Sequence, residues 1–106
     1  MAGDFESKIL ELVKEIPFGK VSTYGVLAEK AGLRSSARMV GWILNKQKNN
    51  LDMPCHRVVN RFGALSGKLF FPTPDYMQEK LKSEGITFTT DNCVDLNKHL
   101  FDFSNQ

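Results

Sequence analysis

Ser22-Thr23-Tyr24-Gly25-Val26-Leu27-Ala28-Glu29-Lys30-Ala31-Gly32-Leu33-Arg34-Ser35-Ser36-Ala37-Arg38-Met39-Val40-Gly41-Trp42-Ile43-Leu44-Asn45 decides the fold. Tyr24, Leu27, Ala28 and Ala31 make an apolar stripe at helical spacing. Ser22 or Thr23 can cap that helix, because a hydroxyl oxygen accepts the free amide protons of a first turn. Gly32 is a C-terminal stop, and Leu33 and Arg34 form the turn. Ser35 or Ser36 then caps a second helix, in which Ala37, Val40, Gly41 and Leu44 share one face. Two short helices separated by a glycine-containing turn read as a helix-turn-helix over about 22–46. Arg38, Trp42 and Asn45 fall at i, i+4 and i+7 on a different face of the second helix. An Arg and an Asn projecting together suit contact with nucleic acid. Trp42 is expected to be mainly structural, packed into a neighbouring element.

Upstream, Phe5, Ile9, Leu12, Val13 and Ile16 lie on one face of an amphipathic helix that Pro17 and Gly19 end. Downstream, positions 46–52 are polar and read as a loop. Pro54 restricts its own backbone, and Val58-Val59 favours a strand, so an active-site strand and loop is placed at about 53–60. Asn60 to Gly63 is a turn signal, after which Ala64 to Ser66 can return as a short strand. Another helix is expected from about Asp75 to Glu84, with a stop at Gly85. Ile86 to Phe88 reads as extended, Val94 to Phe101 as a short terminal helix, and the last residues as frayed. The fold class is thus α-rich with short β-strands, in a single domain over 1–106.

With 106 residues, 42% hydrophobic and 25% charged, the chain can bury a modest core without disulfides. Two cysteines, Cys55 and Cys93, are too few for a disulfide framework. The N-terminus shows no basic leader followed by an apolar run, and no stretch is apolar enough to span a membrane. A cytoplasmic protein without membrane partners is expected. The net charge of +2 hides an asymmetry. Residues 20–61 hold eight Lys and Arg against two acids, a net +6, which leaves −4 for the remainder. One basic stretch on an otherwise acidic chain fits a face for a polyanion.

Cys55 is followed directly by His56. A thiol is a poor nucleophile until it loses its proton, which an imidazole can take directly or through one water. Adjacent residues of a strand point to opposite faces, so direct contact between the two needs an irregular backbone. Zinc ligation by Cys55, His56, Cys93 and His99 matches none of the usual paired-ligand spacings, and no metal is expected.

Pro54-Cys55-His56-Arg57-Val58-Val59, Ala37-Arg38-Met39-Val40-Gly41 and Gly19-Lys20-Val21-Ser22-Thr23-Tyr24 together resemble the DNA-binding domain of the methylated-DNA–protein-cysteine methyltransferases. The resemblance runs from about Phe5 to Gly85. It implies a compact winged-helix-like, helix-turn-helix domain that binds duplex DNA through the minor groove and flips an alkylated guanine out of the stack. The alkyl group then passes irreversibly to a cysteine, with no cofactor. Carried over by motif, Cys55 is the alkyl acceptor, His56 its water-bridged base and Glu84 the acid that orients His56. Arg38 fills the space left by the flipped base, and Tyr24 presses the phosphate beside it. Ser36, Trp42 and Asn45 join them as expected DNA contacts. Arg57 is expected to hold strand and loop together rather than touch DNA. The partner implied is double-stranded DNA containing alkylated guanine, bound by a monomer.

Leu65 to Pro72 departs from the Tyr-Ser-Gly-Gly type of loop that lines the base pocket in the methyltransferases. In this loop the chain resembles the alkyltransferase-like proteins, which bind alkylated guanine without transferring the alkyl group and recruit nucleotide excision repair. Those proteins usually carry Trp, sometimes Ala, where this chain has Cys55.

Overall fold

A computed structural model describes residues 2–47, 50, 52–68 and 71–103. Lys48 of the basic stretch, Leu69 and Phe70 of the pocket loop, and the three terminal residues lie outside the described ones. The elements run α1 (Ala2–Glu15), β1 (Ser22–Thr23), α2 (Tyr24–Lys30), α3 (Ala37–Asn45), β2 (Val58–Val59), α4 (Tyr76–Ser83) and α5 (Leu96–His99). Two 3₁₀ turns, Arg34–Ser36 and Cys55–Arg57, precede α3 and β2.

The apolar stripe of the first helix does what its spacing predicts. Phe5, Ile9, Val13 and Ile16 are buried and meet Leu27 and Ala28 of α2 and Val40, Ile43 and Leu44 of α3. At roughly 1.5–3 kcal/mol for each fully buried aliphatic side chain, this three-helix contact is the main stabilising mass of the fold. Thr23, not Ser22, caps α2: its Oγ1 accepts from the Val26 amide at 3.1 Å. Neither Ser35 nor Ser36 caps α3 by its side chain; the 3₁₀ turn Arg34–Ser36 runs into the helix instead.

β1 and β2 pair in parallel, Ser22 with Val58 and Thr23 with Val59. The pairing sets a strand from just before the helix-turn-helix beside the end of the Cys55 turn. Successive side chains of β2 point to opposite faces. Val58 therefore joins the three-helix core, and Val59 joins a second cluster with Val21, Met77, Leu81, Ile86 and Val94.

Within the expected strand and loop at about 53–60, Cys55–Arg57 forms a 3₁₀ turn and the strand is Val58–Val59. Two expectations change. Ala64 to Ser66 does not return as a strand, since Asn60 Oδ1 accepts from the Phe62 and Ala64 amides and closes the chain on itself. The terminal helix shrinks to Leu96–His99; Val94 bridges Phe88 and Leu100 bridges Val21. Gly63 lies at the close approach that anchors this return. Its φ is +87°, and a Cβ there would meet the Val94 carbonyl oxygen at 2.4 Å. Gly63→Ala should cost about 2–4 kcal/mol through backbone strain and clash, read as a lower urea midpoint.

Candidate active site and nucleic-acid interface

The 3₁₀ turn supplies the irregular backbone that lets neighbours be used separately. The Cys55 amide donates to the Met53 carbonyl and the Arg57 amide to that of Pro54. Cys55 and His56 are both buried, at 8% and 7% exposure. Cys55 Sγ faces the Leu44 carbonyl at 3.9 Å. Among the described residues, no hydrogen bond joins the thiol to the imidazole. Burial pushes the Cys55 thiol up to about 11, so at neutral pH it holds its proton.

His56 Nε2 lies 2.7 Å from Glu84 Oε2, inside the pocket wall. Glu84 caps the C-terminal end of α4, where the carbonyl ends of the helix disfavour an anion. Its cations offset this. Arg57 Nε donates to Oε1 at 2.9 Å and Nη2 to Oε2 at 3.0 Å, while Nη1 reaches the Ile16 carbonyl. Burial alone would raise the carboxyl, but the hydrogen bonds from Arg57 and His56 outweigh it and hold it below its ordinary value. Burial also lowers His56, against the opposing pull of Glu84. The result is a neutral imidazole beside an ionised carboxylate. Nε2–H then donates to Glu84 and the Nδ1 lone pair is left to accept a proton. The three residues expected to act together, Cys55, His56 and Glu84, therefore share one site, with Arg57 in the bracing role.

Two neighbouring spaces lie between the helix-turn-helix and the thiol. An open depression at the surface is lined by Tyr24, Ala37, Arg38, Gly41 and Ser66. Tyr24 and Gly41 also line an inner cavity of about 10 Å³, with Leu44, Cys55, Val58, Gly67 and Phe71 around it. That space is about one water and far smaller than a purine. Tyr24 is half-buried; desolvation raises its hydroxyl and a hydrogen bond with Ser66 partly opposes this.

The expected DNA contacts divide. Arg38 is exposed and has no ion-pair partner among the described residues, whereas Arg34 pairs with Glu29 and Lys46 with Glu6. Trp42 is 68% exposed, one helical turn from Arg38. The expectation that it packs into a neighbouring element is thus corrected, because the inward face of α3 is already filled by Val40, Ile43 and Leu44. Ser36 is half-buried at the entry to α3. Asn45 is half-buried too, and its Oδ1 is turned from solvent without a partner, so that atom does not share the open face.

Sequence reasoning passed over Ser66, Phe71, the Leu44 carbonyl and Lys80. Lys80 had a usable signal, since it stands four residues before Glu84 and so one turn away. The Leu44 carbonyl had none, because any residue carries one.

Residues 4–86 match the family described as the DNA-binding domain of 6-O-methylguanine DNA methyltransferase. The chain is 33% identical over 99 residues to the DNA base-flipping protein of Escherichia coli strain K12, covering 93% of this chain and 75% of that one. It is 46% identical over 65 residues to a methylated-DNA–protein-cysteine methyltransferase of Methanocaldococcus jannaschii, covering 59% and 38%. The fold matches the crystal structure of Atl1 from S. pombe in complex with damaged DNA containing O6-carboxymethylguanine. The TM-score is 0.81 at 31% identity, over 94% of this chain and 96% of that one.

The linked titrations give a direction for stability. Unfolded His56 takes a proton near its ordinary 6.5, while folded His56 does so only at lower pH. The unfolded state therefore binds more protons in that window, and stability falls as pH drops below about 6.5. Glu84 adds a second loss, beginning below its ordinary 4.5 and running down through its lower folded value. Urea midpoints between pH 7.5 and 5 should fall in the parent and stay flatter in His56→Gln, which keeps only the carboxylate limb.

Proposed function

Because the chain belongs to the family of the 6-O-methylguanine DNA methyltransferase DNA-binding domain, we propose that it is a DNA alkylation-damage protein that flips O6-alkylated guanine toward Cys55 and accepts the alkyl group. The observation that carries this reading is that a surface depression at exposed Arg38 and the cavity at Cys55 share Tyr24 and Gly41, beside an imidazole oriented by Glu84. Arg38 projects with Trp42 from α3 into the minor groove. Its guanidinium occupies the space that the flipped base leaves, and Tyr24 lies at the entrance beside the displaced nucleotide. Ser36 and Asn45, on the same helix-turn-helix, contribute at the edge of this face. The single domain spans 1–106 and binds as a monomer.

The chemistry follows from the site. His56, through one water, takes the Cys55 proton at Nδ1 while Glu84 fixes its Nε2–H and stabilises the imidazolium. The thiolate sulfur bonds to the alkyl carbon as the carbon–O6 bond breaks. The electron pair goes to guanine, which recovers the proton that the thiol gave up. The thioether is stable, so each protein reacts once and no cofactor takes part.

Two observations favour a second reading, a non-catalytic lesion sensor that recruits nucleotide excision repair. Cys55 is held protonated by burial, and Ser66 of the altered pocket loop bonds Tyr24. Transfer needs a thiolate, whereas recognition does not. Intact-protein mass spectrometry after incubation with a duplex containing one O6-methylguanine decides between them. A gain of one methyl group mapped to Cys55 is the expected result. Tight lesion binding without the gain leaves the sensor. Arg38→Ala should weaken lesion binding by about 2 kcal/mol, the scale of keeping one nucleotide unstacked. Unchanged discrimination between alkylated and normal duplex in a binding titration would remove Arg38 from that role.

A further inference from the structure

A second chamber, of about 250 Å³, lies beyond Cys55 and Phe71, and it opens onto His56, Gln47, Tyr76 and Lys80. Cys55 and Phe71 are the residues it has in common with the inner cavity. Phe71 therefore stands between the two spaces, with its ring stacked on Tyr76 at 5.2 Å. If the proposed function is right, the first carbon of an O6 substituent must reach the Cys55 sulfur. The inner cavity has no room for anything longer. Atoms beyond that first carbon have the chamber as their outlet.

Its lining is rich in hydrogen-bond donors. Gln47 uses its Oε1 to accept from Asn50, which leaves its amide N–H groups to donate. Tyr76 brings a hydroxyl. Lys80 brings an ammonium group near enough to disfavour a charge on His56. Glu84, the acid that His56 touches, is already engaged by Arg57 and His56, and Lys80 forms no ion pair among the described residues. No carboxylate lines the chamber among the described residues. A surplus of donors with one cation matches a carboxylate better than an alkyl chain.

We propose that the chamber behind Cys55 is a specificity subsite for anionic O6 substituents of guanine, such as a carboxyalkyl arm, with Lys80 as the selecting residue. This rests on the lesion-binding reading above. A hydrocarbon arm of the same length would strand the Gln47 and Lys80 donors or leave them to water, and gains nothing from the charge.

The test is a fluorescence-anisotropy competition at low salt with three duplexes of one sequence. One carries O6-carboxymethylguanine, one O6-propylguanine and one unmodified guanine. The parent protein should prefer the carboxymethyl to the propyl duplex by about fivefold, the upper range for a solvent-accessible ion pair. Lys80→Met should bring the ratio to one or below, and Lys80→Arg should restore it. Equal affinity of the parent for the two lesions overturns the proposal, as does a ratio that Lys80→Met leaves unchanged. If neither lesion outcompetes unmodified guanine, the lesion-binding reading fails first and takes the subsite with it.

Discussion

The carboxylate of Glu84 holds the site to the fold. It accepts from Arg57 through both oxygens and from His56, and Arg57 in turn grips the Ile16 carbonyl just beyond α1. One buried anion thus ties together the end of α4, the Cys55 turn and the exit of the first helix. Phe18, on the same exit, lies 5.9 Å from the Arg57 guanidinium. Removing one member of such a buried group commonly costs about 3–5 kcal/mol, because the remaining charge is stranded. The arrangement also needs Glu84 at one place. Gly85, at φ +86°, lets the chain turn back so that the Ile86 amide reaches the Leu81 carbonyl. The helix stops with the carboxylate facing the imidazole.

Around that anchor the site is closed. Burial pushes the thiol up to about 11, the inner cavity holds only about 10 Å³ and a tyrosine is bonded to the pocket loop, which leaves the nucleophile protonated and covered. A base needs far more space than that cavity holds, so its lining must move to admit one. A base that enters replaces the surroundings that raise the thiol, so burial without DNA does not exclude the proposed transfer.

Much of this was legible in the sequence, and the exceptions share a cause. The three-helix core could be read from spacing, because Phe5, Ile9 and Val13 or Leu27 and Ala28 repeat at the helical period and burial follows period. Glu84 and Arg57 were legible only through resemblance, since a lone acid 28 positions from a histidine carries no local signal. The 3₁₀ form of the Cys55 turn had no signal, because Val58 and Val59 supply an extended preference that does not reach back through Pro54 and Cys55. Ala64 to Ser66 failed as a strand because one side-chain oxygen, that of Asn60, accepts from the Phe62 and Ala64 amides and curls the chain on itself. Periodicity reports the faces of regular elements, and neither segment belongs to one.

The basic stretch shows how charge in sequence differs from charge at a surface. Residues 20–61 carry a net +6, yet Arg34, Lys46 and Arg57 are each matched to Glu29, Glu6 and Glu84, and Lys20 is turned to the Lys98 carbonyl. Two of those acids come from outside the stretch, so folding returns charge that the linear count had separated. Arg38 keeps its charge free of such pairing. It projects from the outer face of α3 one turn from an exposed indole, on a depression that shares Tyr24 and Gly41 with the Cys55 cavity. Polyanion attraction spread over many residues would give affinity without a preferred place. An exposed cation at the depression beside the Cys55 cavity adds a position to that overall attraction.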